Sequence, residues 1–164
     1  MLRLLIVDPA GSGRAALRNA LKELGIHASL EAMDAPGAFE LLGERKLDGL
    51  ICVLDMPEID GVELTRRIRR GDNPRIDPAL PVVLVVQEAS PQRLFAARDA
   101  GVSELIAAPV QAKALGARLN AAILKPRPFI RCPVYVGPDR RRMAKEGYKG
   151  PFRREADWHA KIGR

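Results

Sequence analysis

The sequence predicts an α/β fold in which a five-stranded parallel sheet is wound by helices on both faces. Two observations carry that expectation. Short continuous apolar runs alternate with stretches of helical period five times over residues 1–124. The apolar runs also lack polar alternation, so each strand is buried on both sides, as parallel strands between helices must be.

The elements follow in order. Residues 2–7 are an apolar strand. Residues 14–24 place Leu17, Ala20, Leu21 and Leu24 on one helical stripe that ends at Gly25. Residues 26–32 form a weaker strand, and 35–45 a helix with apolar positions 38, 39, 41 and 42. Residues 50–54 are a short buried strand. Residues 62–70 are a helix with four arginines near its C-terminal end, where cations suit the helix dipole. Gly71-Asp72-Asn73-Pro74 stops it. Residues 82–86 are a β-branched strand, and 91–100 a helix closed by Gly101. Residues 105–107 are the last strand and 111–124 the last helix. Crossovers should be right-handed, and at this length the doubly wound, flavodoxin-like order 2-1-3-4-5 is the natural solution. Its ligand crevice lies at the C-terminal ends of strands 1 and 3. Functional groups are therefore expected near Asp8, residues 53–57, residues 86–90 and residues 107–109.

After Leu124 the pattern changes. Lys125-Pro126-Arg127-Pro128 cannot continue a helix, because each proline lacks an N–H and clashes with the preceding turn. No sustained periodicity follows, and the chain divides into a domain over 1–124 and a basic extension over 125–164. Charge divides at the same point. Residues 1–124 hold 15 basic and 16 acidic side chains, whereas residues 125–164 hold 12 basic and 4 acidic. The net charge of +7 thus belongs to the extension.

Several classes are excluded. The longest apolar runs, such as 81–86, are too short to span a bilayer. Residues 1–7 run into Asp8 without a signal-peptide core, so a cytoplasmic location without membrane attachment is expected. The two cysteines, Cys52 and Cys132, cannot make a disulfide framework, and Cys52 reads as a small core residue. His27 and His159 have no partners at metal spacing. Gly11-Ser12-Gly13 lacks the Gly-Lys-Ser/Thr of a phosphate loop and reads as a turn with Ser12 capping the first helix. Asp60-Gly61 reads as a turn and helix cap.

The first 124 residues resemble the receiver domain of two-component response regulators, the CheY-like superfamily. The resemblance rests on Leu5-Ile6-Val7-Asp8, on Arg14 with Leu17 and Leu21, and on Met56-Pro57-Glu58-Ile59-Asp60-Gly61-Val62-Glu63-Leu64. Leu80-Pro81-Val82-Val83-Leu84, Ala100-Gly101-Val102 and Ala108-Pro109 complete it. It implies a phosphorelay signalling module and not an enzyme. A working receiver holds Mg²⁺ on an acidic pair after strand 1, accepts a phosphoryl group on an Asp ending strand 3, and steadies it with a hydroxyl after strand 4 and a Lys after strand 5. In this chain the acceptor position, three residues before Met56, is Val53. The hydroxyl position is Val86 and the lysine position Ala108. The acidic pair is reduced to Asp8-Pro9, and Leu105 replaces the aromatic often found in strand 5. The resemblance therefore implies a degenerate pseudo-receiver acting through protein contacts. Asp55 is the alternative acceptor, at the cost of a two-residue insertion before it and a deletion after it. With Asp8 it could also form a vestigial acidic site, at most a weak Mg²⁺ site; no other cofactor is expected. A histidine kinase or downstream effector is the expected partner, and a homodimer is compatible with the sequence.

The extension holds five of the seven aromatics. Tyr135-Val136-Gly137-Pro138-Asp139-Arg140-Arg141 is nearly repeated by Tyr148-Lys149-Gly150-Pro151-Phe152-Arg153-Arg154. Guanidiniums beside aromatics suit phosphate and base recognition. Arg140, Arg141, Arg142, Arg153 and Arg154 are the anion-binding candidates, with Tyr135 and Tyr148 as stacking or docking anchors and Gly-Pro turns aiming each fork. The segment loosely resembles the Arg-rich extensions of some alphaproteobacterial receiver proteins, a subset of which bind cyclic di-GMP, although those usually keep an acceptor Asp. A cyclic dinucleotide or nucleic acid is thus an alternative partner. The bland reading pairs the arginines with acidic side chains of the domain, such as Glu58, Asp60 and Glu63.

Overall fold

The computed structural model describes residues 1–88 and 90–141. Its sheet is parallel, with strands β1 (Arg3–Val7), β2 (Ala28–Ala32), β3 (Gly49–Val53), β4 (Val82–Val86) and β5 (Glu104–Ala107) in the order β2-β1-β3-β4-β5. The expected fold class and strand order are those observed. β3 and β4 are buried along their whole length, which is why their sequences are unbroken apolar runs. Helices α1 (Gly11–Glu23), α2 (Ala35–Glu44), α3 (Gly61–Arg70), α4 (Pro91–Asp99) and α5 (Ala112–Leu119) flank the sheet. α5 runs on into a π-helical turn over Asn120–Leu124.

Local signals explain most helix starts. Asp34 accepts from the Gly37 N–H at 2.8 Å, Asp60 from Glu63 at 2.8 Å and Ser90 from Arg93 at 3.3 Å. The cap expected from Ser12 does not form. α1 begins at Gly11, so Gly11-Ser12-Gly13 is its first turn rather than a loop before it, and Ala10 stands at the N-cap without a side-chain bond. Cys52 is fully buried, and burial together with the nearby Asp60 and Asp8 pushes its thiol pKa well above the usual value. Among the described residues no helix is long and apolar enough to cross a membrane.

Of the four arginines closing α3, Arg69 does not face solvent. It is 4% exposed and donates from Nε to Gly101 O at 2.9 Å and from Nη1 to Pro78 O at 2.7 Å and Leu80 O at 2.8 Å. Burial pulls its pKa down to about 10, so it stays a cation at neutral pH. The stretch after Leu124 is also more ordered than its missing periodicity suggests. β6 (Phe129–Cys132) and β7 (Tyr135–Pro138) form an antiparallel hairpin. Gly137-Pro138 therefore lies in a strand and not in a turn. Four-residue strands are too short to show a period of two against their neighbours, so the hairpin is silent in sequence.

The hairpin is docked on the domain. The Phe129 ring lies 5.6 Å from the Arg69 guanidinium, and Tyr135 is 5% exposed with its hydroxyl donating to Pro138 O at 2.6 Å. Arg127 donates to the backbone oxygens of Ser103 and, at 2.5 Å, of Asp139. Two glycines allow the contact. Gly101 has φ +90°, and a Cβ there would come within 2.5 Å of Val136 O, while one on Gly137 would come within 2.7 Å of the Gly101 Cα. Gly101→Ala is accordingly expected to cost about 2–3 kcal/mol in chemical denaturation, from the strained φ and the clash together, and to expose Tyr135 to solvent. A wild-type midpoint with Tyr135 still buried would show that the two backbones do not need this approach.

Candidate functional site

The crevice at the C-terminal end of the sheet is bounded by β1, β3, β4 and the loops that follow them. Val53 ends β3 at 6% exposure and Val86 ends β4 at 4%; both belong to the main core. Ala108 follows β5, half-buried, and its peptide to Pro109 is cis. Leu105 is likewise packed against the core. Val53, Val86, Ala108 and Leu105 thus carry only hydrocarbon at or near the ends of their strands.

The acidic residues nearby are engaged elsewhere. Asp8 is 8% exposed and accepts from the Ala10 N–H at 2.8 Å. Its carboxylate lies so near the first turn of α1 that a Cβ on Gly13 would meet it at 1.9 Å. Arg14 donates to the Asp8 carbonyl at 2.7 Å and pairs with Glu31 at 3.2 Å. Asp55 is exposed, and its carboxylate takes both Nη groups of Arg93, one of them at 3.3 Å. That fork holds the loop after β3 to the start of α4, and Arg93 is raised above its ordinary pKa by it.

These residues do not fit a resident Mg²⁺. A hard cation needs several oxygen ligands, and among the described residues no group of three metal-binding side chains converges. Asp55, expected to join Asp8 in an acidic site, is already paired with a guanidinium.

Of the extension's candidates, Arg142, Tyr148, Arg153 and Arg154 lie outside the described residues. Tyr135 is a buried part of the hairpin. Arg140 stacks on its ring at 4.3 Å and pairs with Asp99 at 2.8 Å. The Arg141 N–H donates to Asp139. For Arg140 the acidic partner is thus Asp99 on α4. Glu63 pairs with Arg66, Arg67 and Arg70 along its own helix. Sequence reasoning passed over Arg93, Arg127 and Asp99. Each is an ordinary surface charge until the loops and the hairpin bring its partner to it.

A parallel sheet of order 2-1-3-4-5 is the flavodoxin-like doubly wound fold, which receiver domains share with proteins of other function. The sequence profile of the response regulator receiver domain matches residues 4–120. Chemotaxis protein CheY of Pseudomonas aeruginosa is 30% identical over 119 residues, covering 73% of this chain and 94% of that protein. Chemotaxis protein CheY-3 of Vibrio cholerae is 29% identical, covering 73% and 89%. The solved structure of Vibrio cholerae chemotaxis protein CheY4 superposes with a TM-score of 0.67 at 21% identity, covering 75% and 99%. That of a receiver domain protein from Clostridium thermocellum superposes with a TM-score of 0.67 at 21% identity, covering 76% and 96%. The chain belongs to the response regulator receiver domain family of two-component signalling.

Proposed function

We propose that this receiver signals without taking up a phosphoryl group, as a non-enzymatic cytoplasmic module read by a histidine kinase or a downstream effector. One observation carries the reading. Val53, Val86 and Ala108 stand at the acceptor, hydroxyl and lysine positions, and none has a lone pair or a charge. A single loss would leave a weakened reaction; three remove attack on phosphorus and stabilisation of the product together. The family's usual contact surface is α4, β5 and α5, here about residues 90–124. Arg127 and Arg140 fasten the hairpin beside it at Ser103 and Asp99, so a partner meets the hairpin as well.

Incubation with acetyl phosphate and Mg²⁺ is expected to leave the intact mass unchanged. A gain of one phosphate, lost in Asp55→Asn, would instead favour Asp55 as a conventional acceptor. The Arg93 fork on Asp55 supports the silent reading, because a nucleophile shared with a guanidinium is a poor one.

A second reading, a tail that binds cyclic di-GMP or nucleic acid, is favoured by the concentration of basic and aromatic residues after 125. Its test is titration of the wild type and of Arg140/Arg141/Arg153/Arg154→Ala at two salt concentrations, since phosphate contacts weaken steeply with salt. Failure of the wild type to bind at low salt would leave these arginines a docking role, the one Arg140 plays toward Asp99.

A further inference from the structure

The receiver profile ends at residue 120, so the hairpin is an addition to the family's fold. Where it meets α4 and β5 it leaves a half-open cavity of about 210 Å³. Leu94, Val102 and Leu105 give it an apolar base. Phe95, which is 55% exposed, lines it from α4 and Tyr135 from β7. Three guanidiniums line it too, those of Arg98, Arg127 and Arg140, and among the described residues no carboxylate does.

The two aromatics are furnished alike. Arg98 lies over the Phe95 ring at 5.1 Å and Arg140 over the Tyr135 ring at 4.3 Å. Both guanidiniums share the carboxylate of Asp99, at 3.2 and 2.8 Å. One acid thus holds two cations together and leaves an excess positive charge between them. Arg118 and Arg127 share Glu104 in the same manner, at 3.1 and 3.8 Å. Like charges gathered in a concavity with an apolar base raise the local potential, and the carboxylates behind them hold the forks in place before any ligand arrives.

We propose that this cavity binds a small organic anion, a planar ring carrying a phosphate or carboxylate head. The ring covers Leu94 and Leu105 beside Phe95 and Tyr135, and the head takes the remaining N–H groups of Arg98 and Arg140. Inorganic phosphate would leave the apolar base uncovered, and a neutral ring would leave the guanidiniums unanswered, so both bind more weakly. The site owes nothing to the crevice at β3 and stands whether or not the receiver accepts a phosphoryl group.

The test is an NMR titration of the full chain with phenyl phosphate and with benzoate, using inorganic phosphate and phenol as controls. Saturable shifts at the amides of Val102, Ser103, Leu105 and Tyr135 are expected with one or both ring anions, and the tighter of the two names the head group. Arg98→Gln and Phe95→Ala, both at exposed α4 positions that keep the fold, are expected to weaken binding about tenfold each. No saturation by about 10 mM, beyond the millimolar range of a useful site, would overturn the proposal. So would equal binding of inorganic phosphate, wild-type affinity in both variants, or shifts confined to residues 142–164.

Discussion

Replacing Arg69 by Leu is expected to destabilise the protein by about 3–5 kcal/mol, the range for removing one partner of a buried charged network. The guanidinium ties the end of α3 to the oxygens of Pro78, Leu80 and Gly101 and reaches Ser103 Oγ at 3.5 Å. Leucine fills much of the volume but leaves those oxygens without their donor, two of them in fully buried contacts. Arg69→Lys should recover only part of the loss. An ammonium on one stem cannot span acceptors that the planar fork meets on different edges. The hairpin should respond as well, because Phe129 rests on the same guanidinium. Urea denaturation followed by Tyr135 exposure reads both effects. A cost under about 1 kcal/mol, the level of an ordinary surface substitution, would show that Arg69 is not the staple.

Val53→Asp is expected to cost about 2–4 kcal/mol and still not to make a phosphorylatable receiver. Val53 is 6% exposed at the end of β3 and packed in the main core. A carboxyl placed there is disfavoured in its charged form, so its pKa rises above the unfolded value. With the folded pKa raised, the variant is least destabilised below the ordinary carboxyl pKa and loses further stability as pH climbs through the raised value. Denaturation midpoints at pH 4 and pH 8 should separate in that direction relative to wild type. The intact mass after acetyl phosphate should stay unchanged, since Val86 and Ala108 supply neither the hydroxyl nor the cation. A stable phosphorylated Val53→Asp protein would mean that one residue separates this crevice from a working one.

The elements of the sheet were legible in the sequence for a physical reason. Parallel strands buried on both faces must be continuous apolar runs, and helices covering them must be amphipathic, so both patterns are written locally. The capping roles of Asp34, Asp60 and Ser90 are local in the same way, because each side chain bonds an N–H three residues on. Ser12 misled because the first turn of α1 forms upstream of it. There Gly13 lies against the Asp8 carboxylate at the end of β1, a closeness that carries no local sequence mark.

By itself the sequence determined the pattern of the sheet and the residue types at the ends of its strands. That Val53, Val86 and Ala108 stand at the family's acceptor, hydroxyl and lysine positions is what the resemblance implies, and the proposal of a silent receiver rests on it. Only the tertiary structure decided what the remaining charges do. A guanidinium carries no local mark of its partner, since a long flexible stem lets it reach oxygens far along the chain. Arg69 meets Gly101 across 32 residues, Arg93 meets Asp55 across 38, and Arg140 meets Asp99 across 41. The same is true of the hairpin, whose place against Gly101 depends on two glycines brought together from α4's end and from β7.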